Sequence, residues 1–248
     1  MAAPQVPPFV AKGPGIKGGG IAAVGAGFGA MASIIVAIMF VAGSDAGFNN
    51  NDPWYLLTSQ LALWVGMVGA VLVASRVNGS GSLSTDFGLS FPRRRDLSFG
   101  LAGGIAGRML PLLFVILIVL ADRQNFSTPN STAVKVLGTT PSGVAGWAIV
   151  IALAVIGAPL VEELFFRGLL QGAFTRRVGS VPAIFITALI FSFAHILNEG
   201  PFAPLILFPA ALILGYLRHR TGRLAAGMAA HSIFNATLFV LFLVPAFR

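Results

Sequence analysis

Two adjacent carboxylates, Glu162 and Glu163, interrupt one of the most apolar stretches of the sequence. They follow 26 residues without a charged side chain, 136–161. An acidic group at the centre of a bilayer costs roughly 2.5 to 3.5 kcal/mol, so such groups usually serve chemistry or transport. On an α-helix, Glu163 and Arg167 stand four residues apart and are expected to pair, whereas Glu162 is rotated by about 100° and is free to face another group.

Two of the three histidines also lie in apolar segments and are candidate partners for Glu162. If the segments on either side of Gly179 form a helical hairpin, Glu162 lies 17 residues before the turn and His195 lies 16 residues after it. At 1.5 Å per residue, both side chains are then roughly 25 Å from the turn. His231 and Asn235 are four residues apart on one face of a later helix, and a second hairpin is predicted to bring them to the same layer.

These residue types are the components of peptide hydrolysis without a covalent intermediate. A carboxylate that faces an imidazole in a dry cavity can hold and deprotonate water, and a second imidazole beside an amide can donate hydrogen bonds to an oxyanion. Ser192 lies three residues before His195 and Ser232 directly follows His231, so a serine nucleophile stays open. His219 lies between two arginines and is interpreted as a solvated turn residue. The neighbouring aromatic residues are predicted to pack around the site: Phe165, Phe166, Phe191, Phe193 and Phe234.

The composition indicates which elements carry these groups. The 248 residues are 56% hydrophobic and 10% charged, and long apolar segments recur along the chain, which predicts an all-α polytopic transmembrane bundle of about seven spans, within a range of six to eight. The net charge of +8 comes from short clusters between apolar segments, as the positive-inside rule requires, and this pattern argues against nucleic-acid binding. The chain has no cysteine, so disulfides and thiolate chemistry are excluded.

The segments divide the chain into a disordered tail, 1–17, a group of N-terminal membrane spans, 18–135, and a catalytic membrane core, 136–248. Polar turns are predicted at 175–180 and 218–223. With seven spans, the basic clusters all fall on one side, which predicts an integral protein of the cell membrane with its N-terminus in the cytoplasm. Arg108 lies within a predicted span, where it either pairs with a buried acidic group or extends its charge towards the interface.

Three motifs occur in order along the apolar segments: EExxxR at Glu162, Glu163 and Arg167, FxxxH at Phe191 and His195, and HxxxN at His231 and Asn235. They resemble the CPBP family of intramembrane proteases, the CAAX protease and bacteriocin-processing (Abi) family that includes the type II CAAX prenyl endopeptidases. The resemblance covers about 143–239, with a weaker upstream signature at Asp86-Phe87-Gly88-Leu89 and Arg94 to Asp96.

The resemblance implies an intramembrane endopeptidase that acts on a peptide or protein substrate, with prenylated CAAX peptides as the best-known class, in a lipid bilayer. It favours a site without a cofactor, and a zinc ion stays open as a second version of the site. A proton-coupled carrier and a peptide-binding membrane scaffold are the non-catalytic alternatives. The implied roles are activation of water by Glu162 with His195, stabilisation of the oxyanion by His231 with Asn235, support by Glu163 with Arg167, and, in the zinc version, metal ligation by Glu162, His195 and His231.

Overall fold

The computed structural model of the protein describes residues 53–121, 143–196 and 201–243. Every regular element in these ranges is a helix, which confirms the predicted all-α class for this part of the chain. The predicted tail and the first predicted span lie outside the described residues. In chain order, the seven helices of the described ranges are α1 (Pro53–Asn78), α2 (Leu83–Phe87), α3 (Arg94–Ala121), α4 (143–178), α5 (Ser180–Ala194), α6 (Ala203–Thr221) and α7 (Ala225–Leu243).

Helix α4 changes its winding along its length, and one change coincides with the paired glutamates. A π-helical segment directly precedes the turn that contains Pro159. Proline has no backbone N–H, and its ring crowds the carbonyl oxygen four residues earlier. The wider π-helical turn relieves that crowding. A second π-helical segment begins at Glu163, so the regular α-helix assumed from the sequence is wrong there. The consecutive segments are α-helical Gly143–Ile151, π-helical Ala152–Gly157, α-helical Ala158–Glu162, π-helical Glu163–Leu170 and α-helical Gln171–Val178.

Glycines with positive φ end the helices at both hairpins. Gly179, with φ of 85°, joins α4 to α5, so the predicted hairpin turn is confirmed. The turn is shorter than the predicted 175–180, because α4 stays helical through Arg176 to Val178. Likewise, α6 extends to Thr221 before Gly222 adopts a φ of 66°. Basic side chains are favourable in the last turn of a helix, where they face the negative end of its dipole.

Aromatic side chains pack beside the polar residues of α4. The ring of Phe166 contacts those of Phe165 and Phe191 edge to face, with centroids 5.1 Å apart in both pairs. Phe234 on α7 is also buried. Phe193 is 57% exposed, so its predicted packing around the site is wrong. Two residues of helix rotate a side chain by about 200°, and therefore Phe193 leaves α5 on the side opposite to Phe191.

The polar stretch between α1 and α3 is partly ordered by Asp86. Its carboxylate accepts hydrogen bonds from the Ser75 hydroxyl of α1 and from the backbone N–H and hydroxyl of Ser80. Burial alone would raise the pKa of Asp86, but these hydrogen bonds outweigh it and hold the pKa below its ordinary value of 3.8. The short helix α2, which Ser82 caps, is therefore tied to the end of α1.

The same stretch contacts the connection between α6 and α7. The backbone N–H of Leu224 donates to the carbonyl oxygen of Gly88 over 3.1 Å. Arg223 Nε pairs with Asp96 Oδ2 at 3.1 Å, and Asp96 also accepts from the backbone N–H of Arg93. The end of α1, the start of α3 and the α6–α7 connection therefore lie at the same end of the bundle.

One helical segment in the described residues, Val144–Val178, is long and apolar enough to cross a membrane; it has 35 residues. Shorter apolar segments occur in α1, α5 and α7, at Leu63–Asn78, Ser180–Ala194 and Ala225–Val240. The number of spans stays a prediction.

Candidate active site

Glu162 on α4 lies between His195 and His231, the two histidines that the predicted hairpins bring to its depth. Its Oε2 atom is 3.8 Å from Nε2 of His195, at the end of α5, and 4.0 Å from Nε2 of His231, on α7. Glu162 and His231 are buried, whereas His195 is partly accessible. Three segments that are distant in sequence therefore converge on one carboxylate oxygen, and the matching depth of Glu162 and His195 is confirmed.

The orientation of each imidazole is fixed through its Nδ1 atom. Nδ1 of His195 lies 2.7 Å from the carbonyl oxygen of Phe191, an acceptor, so Nδ1 carries the proton and donates. Nδ1 of His231 lies 3.2 Å from Oε1 of Glu163 and donates to that carboxylate in the same way. In a neutral ring the Nε2 atom then bears a lone pair, and both Nε2 atoms face Glu162.

Glu162 Oε2 and the two Nε2 atoms thus form a group of three atoms that accept hydrogen bonds. Oε2 is buried, and no hydrogen bond reaches it from the described residues. Leaving a buried carboxylate oxygen unsatisfied is costly, and three facing acceptors require a donor between them. A water molecule or a proton on one of the rings meets this requirement, so the geometry suits a group that binds and deprotonates water.

Glu163 and Arg167 form the ion pair that their spacing predicts. Arg167 Nη1 is 2.9 Å from Glu163 Oε1, and the two side chains are 1% and 0% exposed. The guanidinium also lies 4.3 Å from the centre of the Phe191 ring. The contact between Glu163 and His231 could not be read from the sequence, because it depends on where α7 packs against α4.

Backbone packing limits the position of Glu163 further. Gly227 on α7 lies so close that an added Cβ would be 2.9 Å from Glu163 Oε2. A glycine at this point lets the two helices approach, and the carboxylate occupies the space that a side chain would take. The Glu163 carboxylate is therefore held by the Arg167 guanidinium, the His231 imidazole and the backbone of α7 at Gly227.

Asn235 lies one turn after His231 on α7, as predicted. Its Nδ2 atom donates to the carbonyl oxygen of Ala154 over 2.7 Å. Ala154 belongs to the first π-helical segment of α4. This contact orients the amide and leaves its second N–H for another acceptor, since the group carries two donors.

The remaining sequence candidates have other contacts. Ser192 is fully buried and donates to the carbonyl oxygen of Ala188 over 2.8 Å, a bond within its own helix. This contact gives no support to Ser192 as a nucleophile. Ser232 is half-buried on α7. His219 is exposed in the last turn of α6, which agrees with its interpretation as a solvated residue.

The three candidate zinc ligands converge, but their spacing does not fit a tetrahedral site. Ligand atoms at about 2.0 to 2.1 Å from zinc are about 3.4 Å apart in a tetrahedron. The separations from Glu162 Oε2 to the imidazoles are 3.8 and 4.0 Å. Across 53–121, 143–196 and 201–243, no group of three His, Cys, Asp or Glu side chains has the arrangement of a metal site. No step is therefore assigned to a metal, and the preference for a site without a cofactor stays a prediction.

Comparison with known families agrees with the motifs. A family model described as type II CAAX prenyl endopeptidase Rce1-like matches residues 144–237. Residues 144–237 are therefore similar to this family, as the three motifs indicate. The Rce1-like region begins in α4 and ends in α7, so it contains all the residues assigned to the site. No curated protein matches the chain significantly, and neither does any solved structure. Rce1-like proteins are integral membrane proteases, which supports a membrane location and endopeptidase activity on a peptide or protein.

Proposed function

We propose that the protein is an intramembrane endopeptidase in which Glu162 activates a water molecule for attack on a peptide bond. The observation that carries the proposal is the approach of Glu162 Oε2 to both Nε2 atoms, at 3.8 and 4.0 Å. The match to the family model supports a protease. The arrangement of acceptors supports water as the nucleophile. A carboxylate general base is effective when it lies within hydrogen-bond reach of the proton that it removes.

His195 and Glu162 hold the water. A water oxygen about 2.8 Å from both Nε2 and Oε2 donates one hydrogen to each and directs its lone pairs away from them. Glu162 takes a proton as the water oxygen bonds to the carbonyl carbon, and the carbonyl electrons move to oxygen. When the tetrahedral intermediate collapses, the C–N bond breaks and the proton on Glu162 passes to the departing nitrogen. The products are a carboxylic acid and an amine.

His231 and Asn235 stabilise the oxyanion. The Asn235 amide is pre-oriented by Ala154 and has a second N–H to donate. His231 donates from Nε2 when the ring is doubly protonated, and Glu163, which already accepts from Nδ1, is then its counter-ion. Fixed donors aimed at a developing charge contribute strongly because they need no reorganisation during the reaction.

The same proposal includes seven spans in the cell membrane, with a cytoplasmic N-terminus. The contacts of Arg223 with Asp96 and of Leu224 with Gly88 bring basic loops to one end of the bundle, which supports a common cytoplasmic side. The substrate is a peptide or protein, and a prenylated CAAX peptide is the class that the family description favours.

The test uses purified protein in liposomes, with quenched peptides that are prenylated or unprenylated at a C-terminal cysteine motif. Glu162→Gln should lower kcat by at least about a hundredfold, because an amide cannot accept the proton, while the unfolding midpoint stays near that of the wild type. Added zinc and a chelator form two further arms. Full activity of Glu162→Gln would refute the mechanism. Proton-coupled uptake of a solute with no peptide product would instead support a carrier.

A further inference from the structure

Arg108, near the middle of α3, contacts the part of α7 that carries Asn235. Helices α3 and α7 approach closely because glycines of α3 face the backbone of α7. A Cβ added at Gly104 would lie 2.6 Å from the carbonyl oxygen of Ala230 and 2.7 Å from Cβ of Ile233. Since Arg108 follows Gly104 by one helical turn, this approach brings its side chain against the next turn of α7.

The guanidinium of Arg108 makes three contacts with that turn. Nε donates to the hydroxyl of Thr237 over 3.0 Å, and Nη2 donates to the carbonyl oxygen of Phe234. The Cζ atom lies 3.9 Å from the centre of the Phe234 ring, which is a cation–π distance. The Thr237 hydroxyl itself donates to the Phe234 carbonyl over 2.7 Å, so the contacts form one connected group.

Asn235 lies between the two residues that Arg108 holds. On the side of α4, its amide donates to the carbonyl oxygen of Ala154. One turn earlier, His231 is bound to Glu163. The turn of α7 that bears the proposed oxyanion donors is therefore fixed from α4 on one side and by Arg108 of α3 on the other. These contacts with α7 were not predicted from the sequence, which left open pairing with an acidic group or extension of the charge towards the interface.

We propose that Arg108 is a positioning residue for this site, which fixes the Asn235 amide by binding the backbone and ring of Phe234 and the hydroxyl of Thr237. The role of Asn235 rests on the proposed endopeptidase function. A planar guanidinium can bind two acceptors and lie over a ring at the same time, and an ammonium cannot. The contacts therefore require arginine in particular, beyond the need for a positive charge.

The kinetic test compares Arg108→Gln and Arg108→Lys with Arg95→Gln. Arg95 is a matched control, because it also lies on α3 over an aromatic ring, that of Phe99 at 5.2 Å, and is exposed. We expect Arg108→Gln to lower kcat by about tenfold with KM within about twofold, as misplacement of one oxyanion donor predicts. Arg108→Lys should give an intermediate loss, and Arg95→Gln should remain within about twofold of the wild type.

A double-substitution cycle identifies the residue through which Arg108 acts. If Arg108 works by positioning Asn235, then Arg108→Gln should lower kcat by less than about twofold when Asn235→Ala is already present, since contacting residues are not additive. Additive losses, an unchanged kcat in Arg108→Gln or full activity in Arg108→Lys would each overturn the proposal.

A measurement without substrate separates this proposal from the endopeptidase proposal. In protein labelled with 15N-asparagine, the side-chain signal that disappears in Asn235→Ala belongs to Asn235. We expect this signal to shift or broaden in Arg108→Gln and to stay unchanged in Arg95→Gln. An unchanged signal in Arg108→Gln would refute the positioning even if no peptide is cleaved, whereas a shifted signal with an inactive wild type would refute only the proposed function.

Discussion

Replacing Glu163 by glutamine tests whether this residue supports the site by orienting His231 as well as by neutralising Arg167. The carboxylate contacts both groups, at 3.2 Å and 2.9 Å, and both side chains of the ion pair are almost fully buried. Glutamine keeps the shape of the side chain and removes its charge. Arg167 is then left as a buried cation without the carboxylate that it contacts.

The burial of the Glu163–Arg167 ion pair sets the expected loss of unfolding free energy. Removing one partner of a buried ion pair typically costs about 3 to 5 kcal/mol, because the other charge stays desolvated. We therefore expect Glu163→Gln to lose about 3 kcal/mol or more of unfolding free energy. Replacing the pair by apolar residues of similar volume, Glu163→Leu with Arg167→Met, should restore stability to within about 1 kcal/mol of the wild type, since neither member of the pair is then left as an unpaired buried charge.

Activity should not recover in the double variant. His231 has then lost the carboxylate that accepts the hydrogen bond from its Nδ1 atom. We expect a loss of about tenfold to a hundredfold in activity, the range that is typical when a metal-bound histidine loses its hydrogen-bond partner. The assay combines unfolding titrations in mixed micelles with peptide cleavage by the same preparations. A double variant with full activity would mean that Glu163 serves only to neutralise Arg167. If the unfolding free energy of Glu163→Gln lies within about 1 kcal/mol of the wild-type value, the buried charge of Arg167 does not depend on Glu163 for its stability, and the expected loss is refuted.

Two further predictions concern a close helix contact and an acidic group outside the site. Gly227→Ala should lower both the unfolding free energy, by about 1 to 3 kcal/mol, and peptide cleavage, because the new Cβ would lie 2.9 Å from Glu163 Oε2. Gly69→Ala is the control and should be neutral or slightly stabilising, since a Cβ at Gly69 would meet no atom within 4 Å apart from its chain neighbours and the backbone of its own helix. Although burial alone would raise the pKa of Asp86, hydrogen bonds hold the pKa below 3.8. Its contribution to stability is therefore complete above about pH 5 and is lost as pH falls through the lowered pKa. Unfolding midpoints between about pH 3 and 6 should therefore depend less on pH in Asp86→Asn; an equal dependence in both proteins would contradict this.

Several features of the fold and the site could be predicted because they depend on local pattern and on helix geometry. Apolar segments predict helices, and the described ranges are helical. The spacing of Glu163 and Arg167 predicts their ion pair, and a fixed rise per residue predicts that Glu162 and His195 lie at similar depth about Gly179. Each of these inferences needs only residues on one helix or on one hairpin.

Other features depend on how separate helices pack, and the linear pattern does not contain them. The π-helical winding at Glu163 and the outward direction of Phe193 differ from the sequence-based expectations. The contact of Glu163 with His231 and the bonds of Arg108 to α7 also needed the structure.

The chain by itself therefore determined which residues are able to do chemistry and their depth in the bundle. Only the tertiary structure decided which imidazole nitrogen faces Glu162 and which group holds each ring. The reason is physical: depth follows from a constant rise along one helix, whereas orientation depends on the rotation and separation of neighbouring helices. In this protein, close contacts at glycines such as Gly104 and Gly227 fix the rotation and the separation of α7 relative to its neighbours α3 and α4.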